Sequence, residues 1–147
     1  MKFLEKSLVK IDVNVSTPDD AIRAAGKMLV DGDLVEGEYV EAMVASYHKN
    51  GAYFVLAPQI AIPHARPEDG VKEASVSLVR LTKPVVFGNE ANDPVQLVFA
   101  LGASSNMEHL KILQKLLKLL NNQNNVKRIL EMKTYLELEE LLGGINL

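Results

Sequence analysis

Residues 95–101, Val-Gln-Leu-Val-Phe-Ala-Leu, are apolar at every position but one. A strand with one wet face alternates polar and apolar side chains, whereas an unbroken apolar run predicts a strand covered on both sides. The rest of the chain must therefore supply two covering layers. Val9, Ile11, Val13 and Val15 alternate with polar residues, as in a half-buried strand. Thr17 can cap a helix, Pro18 suits its first position and Asp20 completes a capping box. That helix should run to about Asp31 and stop at Gly32. A second helix fits residues 38–49, ended by Gly51. Short apolar runs at 53–57 and 60–62, split by Pro58, and a longer one at 74–81 predict further strands; Val85-Val86-Phe87 is a fragment. In the last third, Ser105 and Glu108 form a second capping box ahead of Leu110, Leu113, Leu117 and Leu120 at helical spacing. Residues 121–125 break this helix, 126–132 and 135–142 are helical again, and Gly143-Gly144 ends the pattern. The order predicts an α/β fold, a single-domain layered sandwich over residues 1–147 with a central mixed β-sheet of about five strands flanked by helices.

Composition narrows the function. At net charge −3, with acids and bases intermixed, the chain has no basic face for nucleic acid, and with no Trp it lacks an aromatic stacking platform. It contains no apolar run of about 18 residues, so membrane insertion is not expected. The first residues, Met1-Lys2-Phe3-Leu4-Glu5-Lys6, carry charge where a signal peptide is apolar. A cytoplasmic protein is expected. Zero cysteines exclude disulfides, a thiolate nucleophile and a thiolate metal site. Neither a Gly-rich phosphate loop ending in Lys-Ser/Thr, nor His-Glu-x-x-His, nor Gly-x-Ser-x-Gly is present.

A nucleophile for neutral pH is then sought among three histidines. His64 follows Ile60-Ala61-Ile62-Pro63. Pro63 removes a ladder donor, so the strand should stop there and throw the next side chain out at its end. Residues 66–70, Arg-Pro-Glu-Asp-Gly, are turn-forming. A reactive group on the lip of a sheet is a common functional placement, and a loop histidine without a task is the alternative. His109 falls in the first turn of the helix capped by Ser105, where unpaired N–H groups and the dipole favour an anion; a solvated surface histidine is the alternative. His48, beside Lys49 near a helix C-terminus, is explained by the dipole alone, or it donates charge toward an anion at His64.

The stretch from Tyr53 to Val71, with Ile60-Ala61-Ile62-Pro63-His64-Ala65-Arg66-Pro67 at its centre, resembles the active-site segment of enzyme IIA of the bacterial phosphoenolpyruvate-dependent sugar phosphotransferase system. Phe87-Gly88-Asn89 and Asn92-Asp93-Pro94-Val95, then His109-Leu110, agree. The likeness covers essentially the whole chain. It is to the fructose–mannitol class (EIIA type 2), and Ala65-Arg66-Pro67-Glu68 is similar to the L-ascorbate branch. The resemblance implies that His64 accepts a phosphoryl group from the phosphocarrier HPr and passes it to a cysteine on the cognate B component (EIIB), which serves the membrane component EIIC. It implies that His109 assists and that no cofactor or metal is needed. Mannitol-type members carry an arginine where this chain has His48, so His48 or Lys49 would supply the positive charge. Such a carrier exposes its histidine to two partners in turn, which predicts an apolar rim of Tyr53, Phe54 and Met107. Two alternatives stand beside it. One is a regulatory relative signalling through the same histidine. The other is a zinc-dependent hydrolase using the three histidines with Glu68 or Asp69.

Overall fold

The computed structural model describes residues 1–145. The apolar run becomes β6 (Val95–Gly102), buried along almost its whole length. Preceding it are β1 (Lys2–Phe3), β2 (Val9–Val13), β3 (Val55–Ala57), β4 (Ile60–Ala61) and β5 (Ser75–Val85). β5 and β6 pair antiparallel, from Ser75↔Gly102 to Arg80↔Leu97. On the other side of β6, β4 runs parallel to it, with Ile60 opposite Leu97, and turns antiparallel into β3. β1 and β2 both pair parallel with β5, at Lys2↔Ser75 and Val9↔Leu78. They lie end to end along one edge, separated by the 3-10 turn Lys6–Leu8. Six strands thus fill five places in a mixed sheet, which reconciles them with the expected number.

Five helices cover the sheet: α1 (Pro18–Asp31), α2 (Gly37–Asn50), α3 (Asn106–Leu120), α4 (Gln123–Glu131) and α5 (Tyr135–Gly144). The pleat sends alternate side chains of β6 to opposite cores. Val98 and Ala100 join Val79, Leu81 and the buried faces of α1 and α2. Leu97, Phe99 and Leu101 join Val76, Leu78 and the buried residues of α3, α4 and α5. This double coverage is why the β6 sequence carries no polar alternation. Arg80, in the middle of β5, is buried with its guanidinium donating 2.9 Å to Ile129 O at the end of α4 and lying 3.6 Å from Asp12.

Four local expectations are modified. β5 does not stop at Leu81 but continues to Val85, because a register shift between Arg80 and Val85 absorbs the missing N–H of Pro84. Tyr53 and Phe54 lie outside β3, since Val55 N–H turns back to Ala52 O at 3.2 Å. In the first capping box, Thr17 Oγ1 accepts from Asp20 N at 3.1 Å, while the Asp20 carboxylate faces Arg23 instead of returning to the cap. Helix α5 runs through both Gly143 and Gly144, held by Leu141, Leu142 and Ile145 packing on the second core.

Gly26 of α1 packs tightly against Val40 of α2. A Cβ there would lie 2.7 and 2.9 Å from the two methyls of Val40, a β-branched side chain with little freedom to turn aside. Gly26→Ala should destabilise the protein by about 1–3 kcal/mol through overpacking, despite the better helix propensity of alanine. A urea denaturation midpoint equal to wild type would show that the helices can part without cost.

Candidate active site

His64 emerges where β4 and β6 both end. Ile62 N–H bonds Phe54 O at 2.9 Å and Leu101 N–H bonds Pro63 O at 3.2 Å, so the segment stays pinned to the sheet after β4 itself has stopped. The next residue is held by a buried side chain. Tyr39 Oη accepts from Ala65 N–H at 3.0 Å and donates to Leu101 O at 2.6 Å. One hydroxyl of α2 thereby ties the chain after His64 to the end of the central strand. Burial pushes the Tyr39 hydroxyl up to about 12, so it stays a neutral donor throughout the physiological range.

The His64 ring is half-buried, and its Nδ1 lies 3.0 Å from Ile62 O. A carbonyl can only accept, so Nδ1 carries the proton and Nε2 presents its lone pair outward. The rings of His64 and His109 are 5.1 Å apart between centroids. The path is short. β6 ends at Gly102, Ser105 caps α3 by accepting from Glu108 N–H at 3.2 Å, and His109 follows. Glu108 does not close the expected box on Ser105; its carboxylate takes the N–H and hydroxyl of Ser104. His109 N–H is already bonded to Ser105 O at 3.0 Å, so the helix-end groups left for an anion belong to Asn106 and Met107. Burial, and secondarily the neighbouring His64, lower the pKa of His109 below its usual 6.5. His109 is therefore a neutral imidazole at pH 7, able to donate one N–H.

Beside His64 lies an open cavity of about 560 Å3. Ala42, Ala45, Ser46 and Lys49 line one wall, at the 3–4 residue spacing of one face of α2. Tyr53 and Arg66 line others. Arg66 faces Asp69 at 3.4 Å and Glu68 at 3.6 Å, and the Arg66 backbone N–H followed by its side chain holds the Asp69 carboxyl below its ordinary range. Lys49 has no carboxylate partner among the described residues, so it is the uncompensated positive charge of the cavity.

His48 does not belong to this group. One residue from Lys49 along a helix is a turn of about 100°, and it carries His48 to another depression, where Nε2 lies 2.7 Å from Asp19 Oδ2. The expectation that His48 donates charge at His64 is corrected accordingly: its partner is a carboxylate at the start of α1. Among the described residues no three histidine or carboxylate side chains converge to hold a metal, as the hydrolase alternative would need. The rim is also revised. Tyr53 and Met107 are exposed, but Phe54 is 2% exposed and packs edge-on against Phe87 and Tyr47 in the first core. Sequence reasoning missed Tyr39, which reads as any apolar helix residue, and Ser46, whose face becomes visible only when Ala42, Ala45 and Lys49 are set at helical spacing.

Comparison with known proteins decides what this pair of histidines belongs to. Residues 2–143 match the family model described as phosphoenolpyruvate-dependent sugar phosphotransferase system, EIIA 2. The chain belongs to this EIIA family. It is a phosphotransferase and a phosphoryl carrier of that system. An ascorbate-specific EIIA component of Shigella boydii is 33% identical over 143 residues, covering 97% of this chain and 93% of the relative. Among solved structures, the complex of mannitol enzyme IIA with phosphorylated enzyme IIB of Escherichia coli contains a chain that superposes with a TM-score of 0.84 at 32% identity, covering 97% of this chain and 99% of that one. The crystal structure of mannitol IIA from Escherichia coli gives 0.82 at 32% identity, covering 95% and 98%. Within this EIIA fold, the second block of the sequence resemblance serves structure. Asp93 accepts from the N–H groups of Phe87, Gly88 and Asn89 at 2.8–3.0 Å, and the amides of Asn89 and Asn92 donate to Val55 O. No described helix is long and apolar enough to cross a membrane.

Proposed function

We propose that His64 is the phosphoryl acceptor of this EIIA, that phospho-HPr supplies the group and that a cysteine of a cognate EIIB removes it, in a pathway for L-ascorbate uptake. The observation that carries the proposal is the bond from His64 Nδ1–H to Ile62 O. It leaves Nε2 as the nucleophile, half-exposed at the mouth of a cavity with one uncompensated cation. Phosphoryl transfer needs an unprotonated nitrogen, in-line approach and charge around the equatorial oxygens. In this reading Nε2 attacks phosphorus as the donor imidazole leaves with its electron pair; later the EIIB thiolate attacks the same phosphorus, an S–P bond forms, and Nε2 leaves with the electron pair of the broken N–P bond. His109 donates its N–H to one phosphoryl oxygen, Asn106 and Met107 N–H favour the same charge, and Lys49 balances it from α2. The ascorbate assignment is supported by the Shigella relative.

The test is a reconstituted relay from phosphoenolpyruvate through enzyme I and HPr, followed by addition of an ascorbate-type EIIB. Labelled phosphate should appear on this chain and then move to EIIB. Failure to label sinks the carrier role of His64; labelling without onward transfer supports the regulatory alternative.

His109 gives a separate prediction. A lowered pKa means that the folded state resists a proton the unfolded chain accepts, so its share of stability is present above about pH 6.5 and is lost as pH falls through the folded value. A phosphoryl dianion on His64 should reverse the shift, because a negative neighbour favours imidazolium. An NMR titration of the His109 ring should move to higher pH on phosphorylation. His109→Ala should slow acceptance by about 10- to 100-fold while His64 still becomes labelled. A wild-type rate would remove His109 from the site.

A further inference from the structure

Tyr53 is 47% exposed, yet its hydroxyl is not simply turned to solvent. It lies 3.1 Å from Ser46 Oγ, which in turn accepts from Asn50 Nδ2 at 3.2 Å. The ring is fixed from two sides, edge-on to Phe54 at 5.5 Å and edge-on to His64 at 6.3 Å. All three polar side chains line the cavity that His64 opens into.

The direction of the protons matters. The Nδ2 group of Asn50 can only donate, so Ser46 Oγ acts as an acceptor toward it. If the Ser46 proton then points to Tyr53 Oη, the Tyr53 O–H is free to point into the cavity. With the cavity empty either orientation of the two hydroxyls satisfies the pair. A dianionic oxygen is a much stronger acceptor than a serine hydroxyl, so a phosphoryl group on His64 selects the orientation that aims Tyr53 O–H at it.

We propose that Tyr53 is a catalytic hydrogen-bond donor to the phosphoryl group on His64, and that Ser46 and Asn50 are positioning residues that orient its proton. The proposal rests on His64 being the acceptor. Tyr53 loses no proton in the step. The N–P bond to Nε2 forms as the donor's N–P bond breaks, the leaving imidazole keeps the electron pair, and Tyr53 keeps its hydrogen while sharing it with one equatorial oxygen.

The test uses Tyr53→Phe, which keeps the ring and the apolar rim. Each protein is phosphorylated both by phospho-HPr and chemically by phosphoramidate, and His64 is followed by 31P NMR. Because the chemical reagent needs no partner protein, wild type labelled by phosphoramidate but not by phospho-HPr would refute the carrier reading and still test Tyr53. Tyr53→Phe should raise the pH midpoint of the phosphohistidine 31P shift, since a lost donor makes the dianion harder to form. It should also lower the maximal rate of transfer from phospho-HPr about tenfold, with KM for the donor within about twofold of wild type. Ser46→Ala should lower that rate about threefold, because the donor survives but is no longer oriented. An unchanged 31P midpoint in Tyr53→Phe, or an effect on KM alone, would overturn the assignment and leave Tyr53 as docking surface.

Discussion

His64→Ala should accept no phosphoryl group from phospho-HPr and should remain folded. The loss is total because no other side chain can take over. The chain has no cysteine, His48 is bonded to Asp19, and His109, 5.1 Å from His64 between ring centroids, is assigned to hold a phosphoryl oxygen and not the phosphorus. The structural cost is small. The ring is half-buried, its one hydrogen bond runs to Ile62 O two residues away, and the backbone around it is pinned independently by Leu101 and Tyr39. A loss of at most about 1 kcal/mol, or about 2–4 °C in Tm, is expected. Labelling that persists in a folded His64→Ala protein would move the acceptor elsewhere.

Tyr39→Phe should lower stability and transfer rate together while leaving the nucleophile in place. It deletes one atom that satisfies two backbone groups, the half-buried Ala65 N–H and the buried Leu101 C=O. Leaving such groups without partners costs about 1–3 kcal/mol, which lowers Tm by several degrees. The same atom sets where His64 stands relative to His109, and small misplacements of reacting groups cost up to about 100-fold in rate. Acceptance should therefore slow by about 10- to 100-fold while labelling still reaches completion. An alkaline signature separates this from a general loosening. The folded state keeps the Tyr39 proton up to about 12, against about 10 when unfolded. Stability is thus complete below pH 10 and falls as pH rises from 10 through 12, by about 2–3 kcal/mol from this group. Tyr47 and Tyr135 are shifted the same way by burial and remain in both proteins, so the difference between wild type and Tyr39→Phe isolates Tyr39. If the two stability curves stay parallel above pH 10, the hydroxyl is not the buried bridge described here.

The fold was legible where a pattern reports a physical constraint. Seven residues around Val98 announced a strand with two covered faces, and caps at Thr17 and Ser105 marked the starts of α1 and α3 within a residue. Boundaries escaped where tertiary pairing overruled local composition. β5 runs through Pro84 because a register shift accommodates it, and α5 runs through two glycines because Ile145 packs on the core. At the site, the two histidines could be named from the chain but their approach could not, since it depends on β4 and β6 being adjacent and on α3 starting immediately after β6. His48 shows the opposite limit. Adjacent residues share a sequence neighbourhood, but on a helix they look in different directions, and only Lys49 faces the cavity. Tyr39 and Ser46 gave no signal in isolation, because their roles consist of bonds to residues 26 and 7 positions away.

The most direct measurement is heteronuclear NMR of the 15N-histidine protein after phosphorylation by phosphoenolpyruvate, enzyme I and HPr. The tautomer set by Ile62 O predicts a single phosphohistidine, at His64, with phosphorus coupled to Nε2 and the proton retained on Nδ1. Phosphorus on Nδ1 of His64, or on His109 or His48, would contradict the account.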